Sequence, residues 1–339
     1  MSTTRAMVVP KVGGSFEMIE RETPEPAPNE VRLRVHACGV CHSDSVTVEG
    51  LMPGITYPRV PGHEVIGTIE AIGADVRGWE VGARVGVGWF GGACGYCPRC
   101  RRGESFACET VTAVTGVTRD GGYATHMLAD PSALARVPAE LDPVESAPLL
   151  CAGITTFNAL RNCGARAGDV VAIHGVGGLG HLGIQFAARL GFRTVAVNRG
   201  RDKEALSRSL GAEYYIDSQD GDPAAALLAM GGAKAILATV TSAEAMESIV
   251  GGLGPNGTML LIGAVPTLTI NPIELFLKRA AVKGWYAGTA VDSEDTMKYC
   301  ERNAIASMNE IYPFDDAQAA YDRMLSSKAR FRVVLSMQA

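Results

Sequence analysis

The feature that most constrains the fold of this 339-residue chain is a glycine-rich turn set between a strand and a helix. The apolar run at 169–174 predicts a buried strand, and the pattern at 179–190 predicts a helix. Strand and helix patterns continue to alternate after this pair. The further predicted strands are 194–198, 214–217, 235–240 and 258–263, with another helix at 202–210. This alternation indicates an α/β domain with a doubly wound parallel sheet and right-handed crossovers.

The turn itself has the sequence GVGGLG and satisfies the pattern G-x-G-x-x-G. One glycine makes the tight turn, and another lets backbone N–H groups approach a pyrophosphate. The last glycine permits close packing of helix on strand, while the helix N-terminus attracts the anion. The position between a strand and a helix favours a Rossmann dinucleotide site over a ligand-free turn. The predicted binding residues are Gly175, Gly177, Gly178, Leu179 and Gly180.

The end of the second predicted strand bears on which dinucleotide is bound. An Asp or Glu there would accept both ribose hydroxyls of NAD and repel a 2′-phosphate. This chain has Asn198 instead, which removes the repulsion, and Arg199 and Arg201 can pair with a phosphate. The sequence therefore favours NADP. NAD is the alternative, because both arginines can be solvated, or can stack on adenine, while Asn198 holds a plain ribose.

Length and charge limit the remaining possibilities. A chain of this length exceeds what one hydrophobic core usually supports, so two domains are expected, and the patterns at 31–37, 65–72 and 84–87 predict a β-rich first half. The net charge of −5 disfavours nucleic acid and anionic membranes as partners. We find no membrane-spanning pattern and no apolar signal segment at the start, and therefore expect a cytoplasmic protein.

Four of the nine cysteines lie close together in a loop rich in glycine, proline and arginine. They are Cys94, Cys97, Cys100 and Cys108. Four thiolates without a histidine suit a closed tetrahedral zinc site with a structural role. We expect the arginines between them to help keep the thiols ionised. An iron–sulfur cluster is the nearest rival, but the long last spacing and the absence of a second cysteine group argue against it.

A catalytic zinc would need three protein ligands and one open position. Cys41 and His63 are candidates, although a buried cysteine or a hydrogen-bonded histidine is more common than a ligand. Asp44 and Glu64 strengthen the assignment, since carboxylates near a metal site orient its ligands. Cys38 also lies in a C-x2-C pattern, but it falls at the end of a predicted strand and is interpreted as packed.

Read in order, GVCHSD, PGHE, the four-cysteine lobe and GVGGLG resemble the zinc-containing alcohol dehydrogenases of the medium-chain dehydrogenase/reductase superfamily. The chain is most similar to bacterial members, near the cinnamyl-alcohol-type and tetrameric ethanol-type enzymes. The resemblance implies a GroES-like catalytic domain at 1–153, with the zinc lobe at 91–110. It implies a Rossmann cofactor domain at 154–287 and a segment at 288–339 that completes the catalytic domain.

The resemblance also implies roles for individual residues. Cys41, His63 and Cys151 would hold the catalytic zinc, and Cys151 is identified only by its place in LLCAGITTFNAL. Glu64 would be a carboxylate able to approach the metal. Asp44 would be the partner of one ligand.

Further matches concern the substrate and the cofactor. Ser43 corresponds to the hydroxyl that receives the substrate proton, and His42 and Arg332 correspond to contacts with the cofactor pyrophosphate. Thr155 lies where the family packs against the nicotinamide. Trp89 matches an aromatic wall of the substrate pocket in some bacterial members, with a core tryptophan as the alternative.

One position departs from the family pattern. Many relatives place a histidine three residues after the serine or threonine, and this chain has Val46 there. The proton relay then either ends at the cofactor ribose and water, or passes through His42 or another group.

The implied reaction is hydride transfer between a primary or secondary alcohol, or the corresponding aldehyde or ketone, and NAD(P), with zinc as Lewis acid. Two zinc ions per chain, a small-molecule substrate and a homo-oligomer are implied, a tetramer or alternatively a dimer. A polyol dehydrogenase is an alternative, although such enzymes often replace one zinc cysteine with an acidic ligand. A zinc-free quinone reductase would lack the zinc-ligand residues. A non-catalytic NAD(P)-binding zinc protein would have lost some of them, whereas this chain has all seven.

Overall fold

A computed structural model describes residues 2–111 and 113–337. The described chain forms two compact units, one containing the residues up to Cys151 and those from Gly288 onward, and one spanning Ala152–Ala287. The strands are β1 (Thr3–Val8), β2 (Glu17–Glu22), β3 (Val31–Val40), β4 (Val65–Ile72), β5 (Arg84–Val87), β6 (His126–Ala129), β7 (Leu134–Arg136), β8 (Val170–His174), β9 (Arg193–Asn198), β10 (Tyr214–Asp217), β11 (Ala233–Ala238), β12 (Leu253–Leu261), β13 (Ala281–Gly284), β14 (Asn309–Pro313) and β15 (Arg332–Ser336). The α-helices are α1 (Ser45–Val48), α2 (Pro98–Arg101), α3 (Pro143–Ser146), α4 (Ala152–Arg161), α5 (Gly180–Arg189), α6 (Glu204–Ser209), α7 (Pro223–Ala229), α8 (Ala243–Val250), α9 (Pro272–Lys278), α10 (Ala290–Asn303) and α11 (Ala317–Leu325).

The first unit is built around a β-rich GroES-like fold. Its larger sheet has the order β14-β15-β3-β4-β5-β7, with β6 pairing to β3, and β1 pairs with β2 in a separate ribbon. β15, from the end of the chain, is antiparallel to β3 and aligns Val333 with Val40. The last strand of the sequence therefore supports the strand that leads into Cys41.

β3 is longer than the predicted strand at 31–37. Its first half alternates between buried and partly exposed positions, which is the pattern the sequence showed. From Ala37 to Val40 every residue is buried, because the strand now has protein on both faces. A strand buried on both faces loses the period-2 signal, so its continuation could not be read from alternation.

The second unit contains six parallel strands in the order β10-β9-β8-β11-β12-β13. β8 is central and fully buried, and α5 packs close to it where Gly183 faces Ile173. The other face of the sheet is covered by an apolar cluster that includes Leu227, Met246 and Ile249. The predicted mixed α/β fold with a Rossmann-type sheet is confirmed. In sequence order, the strands are added first on one side of β8 and then on the other.

β12 starts before the predicted strand at 258–263. The register between β11 and β12 shifts between Ala233 and Ala235, where Ala233 aligns with Leu253 and Ala235 with Thr258. The intervening Gly-Pro-Asn-Gly segment forms a bulge in which Asn256 has φ of 54°. Such residues predict a turn from sequence, yet a bulge lets the strand continue past them.

None of the helices in the described parts of the chain is both long enough and apolar enough to cross a membrane.

Candidate metal centres and dinucleotide turn

The four-cysteine lobe brings its sulfur atoms together as the spacing predicted. The Sγ atoms of Cys94 and Cys100 lie 3.9 Å apart, those of Cys97 and Cys108 lie 4.0 Å apart, and all four fall within 4.8 Å of one another. Cys97 caps the short helix α2, whose first residue is Pro98. This cluster of soft donors fits one tetrahedral zinc ion.

Backbone N–H groups donate hydrogen bonds to the lobe sulfurs. The N–H of Cys97 donates to Cys94 Sγ at 3.3 Å, and that of Val111 donates to Cys108 Sγ at 3.3 Å. The N–H groups of Cys100 and Glu109 lower the pKa of Cys97, and those of Cys94, Val111 and Thr110 lower the pKa of Cys108 to about 6. Arg99 forms ion pairs with Glu104 and Glu109 at 2.8 and 3.5 Å. The hydrogen bond to Glu104 is the main cause that raises the pKa of Arg99, and the charge of Cys97 adds to it. The role expected for the arginines stays a prediction.

A second ligand group is assembled from distant parts of the same unit. Cys41 follows β3 and caps a 3-10 turn formed by His42–Asp44. His63 and Glu64 directly precede β4, and Cys151 directly precedes α4. The pairing of β3 with β4 brings Cys41 and His63 side by side, although they are far apart in sequence.

The potential ligand atoms of this second group lie close together, and two of them lack hydrogen-bond partners among the described residues. Cys41 Sγ and Cys151 Sγ are 3.8 Å apart, and one ligand atom from each of Cys41, His63, Glu64 and Cys151 lies within 4.8 Å of the others. His63 Nε2 and Glu64 Oε2 are buried and have no hydrogen-bond partner among the described residues. Orphaned buried donors and acceptors are costly, and a metal ion would satisfy both. The residues present therefore fit zinc.

Asp44 lies behind these ligands and is 1% exposed. Its carboxylate accepts from the N–H of Cys41 at 2.8 Å and contacts His63 Nδ1 at 2.9 Å. Burial would lower the pKa of His63, but Asp44 and Cys41 outweigh burial and raise it. A third donor, the Tyr123 hydroxyl, reaches Asp44 at 3.0 Å. Sequence reasoning missed Tyr123, since no spacing motif marks it.

Glu64 forms a buried ion pair with Arg332 of β15. Burial raises the pKa of Glu64 to about 8, and the charge of Arg332 opposes that rise. The structure therefore places Arg332, which was expected at the cofactor pyrophosphate, against a residue of the metal group. Its contact with a pyrophosphate stays a prediction.

The other residues expected around the metal lie nearby in the same unit. The Trp89 ring packs edge-on against His63, with centroids 4.9 Å apart, and is only partly buried. Ser43 is partly buried, and its N–H donates to Cys41 Sγ at 3.5 Å. His42 is exposed, and Val46 is partly buried in α1.

In the second unit the glycine turn has the geometry that its motif requires. Gly175 has φ of 98°, which a side chain rarely adopts. A Cβ on Gly180 would lie 1.7 Å from the Gly175 carbonyl oxygen, so only glycine fits there. A Cβ on Gly177 would meet nothing within 4 Å, which leaves its backbone open to a ligand. Gly178 and Leu179 complete the approach to α5. The turn fits a dinucleotide pyrophosphate.

The residues after β9 are arranged around this turn. Asn198 Oδ1 accepts from the N–H of Val176 at 3.2 Å. Arg201 forms ion pairs with Asp220 at 2.6 Å and Glu204 at 3.1 Å, whereas Arg199 is exposed and has no ion pair among the residues that the structure describes. Elsewhere in the unit, Thr155 is a partly buried residue of α4.

Lys203 is a second residue that the sequence interpretation missed. Its Nζ donates to the Val176 carbonyl in the glycine turn at 2.7 Å. Its position was a usable signal, because it lies five residues after Asn198, at the start of the helix predicted at 202–210.

Comparison with known proteins agrees with this geometry. The alcohol dehydrogenase GroES-like domain family matches residues 27–139, and the zinc-binding dehydrogenase family matches residues 178–302. Alcohol dehydrogenase notN of Aspergillus sp. (strain MF297-2) is 43% identical over 336 residues, which cover 99% of this chain and 98% of the relative. An alcohol dehydrogenase of Geobacillus stearothermophilus is 34% identical over 336 residues, covering 98% of this chain and 99% of the relative.

Among solved structures, the cobalt- and zinc-bound thermostable alcohol dehydrogenase of Pyrobaculum aerophilum superposes with a TM-score of 0.88 at 26% identity. The match covers 99% of this chain and 100% of that one. The similarity in sequence and in fold therefore extends over nearly the full length of this chain and of these relatives. The resemblance inferred from the motifs is confirmed, and the chain belongs to the zinc-containing medium-chain alcohol dehydrogenases.

Proposed function

We propose that Cys41, His63 and Cys151 are the protein ligands of the catalytic zinc, with Glu64 able to approach it. The observation that carries this proposal is the pair of buried atoms, His63 Nε2 and Glu64 Oε2, that lack protein partners within a group containing two thiols. Cys94, Cys97, Cys100 and Cys108 are then the structural site, since four thiolates leave no position for substrate.

The reaction proposed is exchange of a hydride between an alcohol and a nicotinamide dinucleotide. When bound, the catalytic zinc supplies a Lewis acid that favours the deprotonated alcohol near neutral pH. The Ser43 hydroxyl accepts the substrate proton, and its place beside Cys41 supports this role. Val46 cannot carry a proton, so the path onward runs through the ribose and water, or through exposed His42.

Trp89 is proposed as a wall of the substrate pocket. Its contact with the His63 ring keeps it beside the metal group, and its partial exposure distinguishes it from a fully buried core tryptophan. An aromatic wall next to the zinc favours apolar alcohols and aldehydes.

For the cofactor we propose NADP, bound by the turn from Gly175 to Gly180, with Arg199 as the main contact of the 2′-phosphate. Arg199 is the better candidate because Arg201 is already paired with two carboxylates. The Asn198 carboxamide, held by the N–H of Val176, presents no negative charge to a phosphate. Thr155 is proposed to pack against the nicotinamide, and His42 and Arg332 to contact the pyrophosphate. Reduction of aldehydes is the direction that NADPH favours.

The experiment is a steady-state assay of benzyl alcohol, ethanol and their aldehydes with NAD(H) and NADP(H) in parallel. We expect higher kcat/KM with NADP(H). Arg199→Ala should raise KM for NADPH about tenfold, the effect of losing about 1.4 kcal/mol of charge-assisted hydrogen bonding. Arg201→Ala is the matched control, and it should change the KM for NADPH by less than about threefold. Higher kcat/KM with NAD(H) in the wild type would refute the NADP assignment.

The two units are proposed to divide the work, the first as catalytic domain and the second as cofactor domain, with 153 and 287 as the boundary positions. We propose a homotetramer, with a dimer as the alternative, and light scattering of the purified protein distinguishes them. The strongly exposed Ile273, Phe276 and Leu277 on α9 support an oligomer. Nine cysteines without a disulfide support a cytoplasmic location.

A further inference from the structure

We infer that Tyr123 is a positioning residue of the catalytic metal site, whose hydroxyl holds Asp44 and thereby orients both His63 and Cys41. The inference rests on the proposed ligand roles of those two residues. The Tyr123 hydroxyl donates to Asp44, and its effect on the ligands is transmitted through that carboxylate.

The Asp44 carboxylate connects three separate parts of the first unit. Oδ1 contacts His63 Nδ1 at 2.9 Å, while Oδ2 accepts from the Cys41 N–H at 2.8 Å and from the Tyr123 hydroxyl at 3.0 Å. The carboxylate is buried, so water cannot replace a lost donor at little cost. Among the described residues, two of its donors belong to the proposed ligands Cys41 and His63, and the third is Tyr123, which is not a proposed ligand.

The bond from Asp44 also determines which nitrogen of His63 faces the metal. With Nδ1 bonded to the carboxylate, Nδ1 carries the proton and Nε2 is left with a lone pair. Nε2 is the atom that is buried without a protein partner. A fixed Asp44 therefore keeps His63 in the tautomer and orientation that a metal ligand needs.

The protein holds the Tyr123 ring rigidly in place. Tyr123 is fully buried, and its ring packs edge-on against Phe16 with centroids 5.7 Å apart. It also lies directly against Gly62, where a Cβ would come within 2.4 Å of the ring. Gly62 directly precedes the proposed ligand His63. Because Gly62 has no side chain, the Tyr123 ring can pack against the backbone at this position. A ring so closely packed holds its hydroxyl in one place.

Tyr123 comes from a segment that follows the lobe in sequence, 79 positions after Asp44. Its hydroxyl thus fixes Asp44 against a part of the fold that carries no proposed ligand. Residues that orient metal ligands in this way typically change metal affinity 10–100-fold when removed. We expect loss of the Tyr123 hydroxyl to loosen the catalytic zinc and leave the lobe zinc unaffected.

The test is the release of zinc from the purified full-length holoenzyme to an excess of the colorimetric zinc chelator 4-(2-pyridylazo)resorcinol, followed by its absorbance. Tyr123→Phe removes only the hydroxyl and keeps the ring. Tyr321→Phe is the matched control, because Tyr321 is also buried and packs on the same Phe16 ring, at 5.2 Å, but is not a donor to Asp44 among the described residues. We expect one zinc per chain to leave at least about tenfold faster from Tyr123→Phe than from the wild type or the control.

A spectroscopic measurement gives an independent reading. With Co²⁺ in the catalytic position, Tyr123→Phe should shift the visible d–d bands, because the ligand geometry changes, and Tyr321→Phe should not. Unchanged release and unchanged bands in Tyr123→Phe would overturn the inference. Equal acceleration of both zinc ions would also overturn it, since that result describes general destabilisation. Should the wild type hold fewer than two zinc ions per chain, the proposed ligand roles fail and the inference with them.

Discussion

The two metal centres of this chain differ in how far apart their ligands lie in sequence. The lobe draws four thiols from residues 94–108, and backbone N–H groups of the same loop contact their sulfurs. The residues of the catalytic group lie between positions 41 and 151. They are held by the Asp44 carboxylate and by the buried ion pair between Glu64 and Arg332. The lobe is thus a local structure, whereas the catalytic group is a product of the whole first unit. The comparison predicts different consequences when each is damaged.

The largest effect should follow from Cys41→Ser. Loss of a catalytic ligand removes the Lewis acid, whose contribution of about 5 kcal/mol to the barrier corresponds to a fall of about 10⁴-fold in kcat/KM. The measurement is steady-state kinetics together with zinc analysis, and one zinc per chain should remain in the lobe. Cys38→Ala is the matched control, because Cys38 is buried beside Gly62 and is outside both ligand groups. Loss of zinc in the control would contradict the distinction between the two cysteines.

Cys97→Ser should act on stability instead of chemistry. A lobe zinc held at about 1,000 times its Kd contributes about 4 kcal/mol, which this variant would lose. We expect protease cleavage within residues 91–110 at concentrations that leave the wild type intact. The kcat of freshly purified protein should change much less than in Cys41→Ser. If kcat falls by the same factor in both variants, the separation of roles is wrong.

Glu64→Gln tests whether the catalytic group needs its buried ion pair. Removing this charge breaks the ion pair of Arg332 in the interior, which typically costs about 3 kcal/mol. Urea unfolding should show this loss as a lower midpoint with unchanged slope. A control is provided by Glu310→Gln, whose partner Arg323 is more exposed and whose loss should cost less than about 1 kcal/mol. Equal losses in the two variants would refute the special role of the buried pair.

The smallest effect is expected for Arg99→Gln in the lobe. Its ion pairs with Glu104 and Glu109 lie at the surface, where solvent screens the charges and such pairs contribute little to stability. Zinc release from the lobe should be unchanged, because backbone N–H groups contact the thiolates. Faster release from this variant would support the role that the sequence suggested for the arginines and contradict the smaller effect expected here.

The same contrast explains how much could be predicted from sequence. The lobe cysteines and the glycine turn lie within short segments, so residue type and spacing were sufficient to predict their approach. Cys151 required the family resemblance, since a lone cysteine before a helix has no chemical signature. Tyr123 and the Glu64–Arg332 pair depend on strand pairing between distant segments, which one sequence does not reveal.

The contact between Arg332 and Glu64 also bears on how the protein matures. β15 follows all the other described strands in sequence, and it pairs with the strand that precedes Cys41. Since folding during synthesis proceeds from the N-terminus, the lobe can acquire its zinc on a growing chain. The ion pair at the catalytic group cannot form until Arg332 has left the ribosome. We expect nascent chains stalled before residue 332 to retain zinc at the lobe alone, so that the enzyme would gain its two metal ions at different stages of its life.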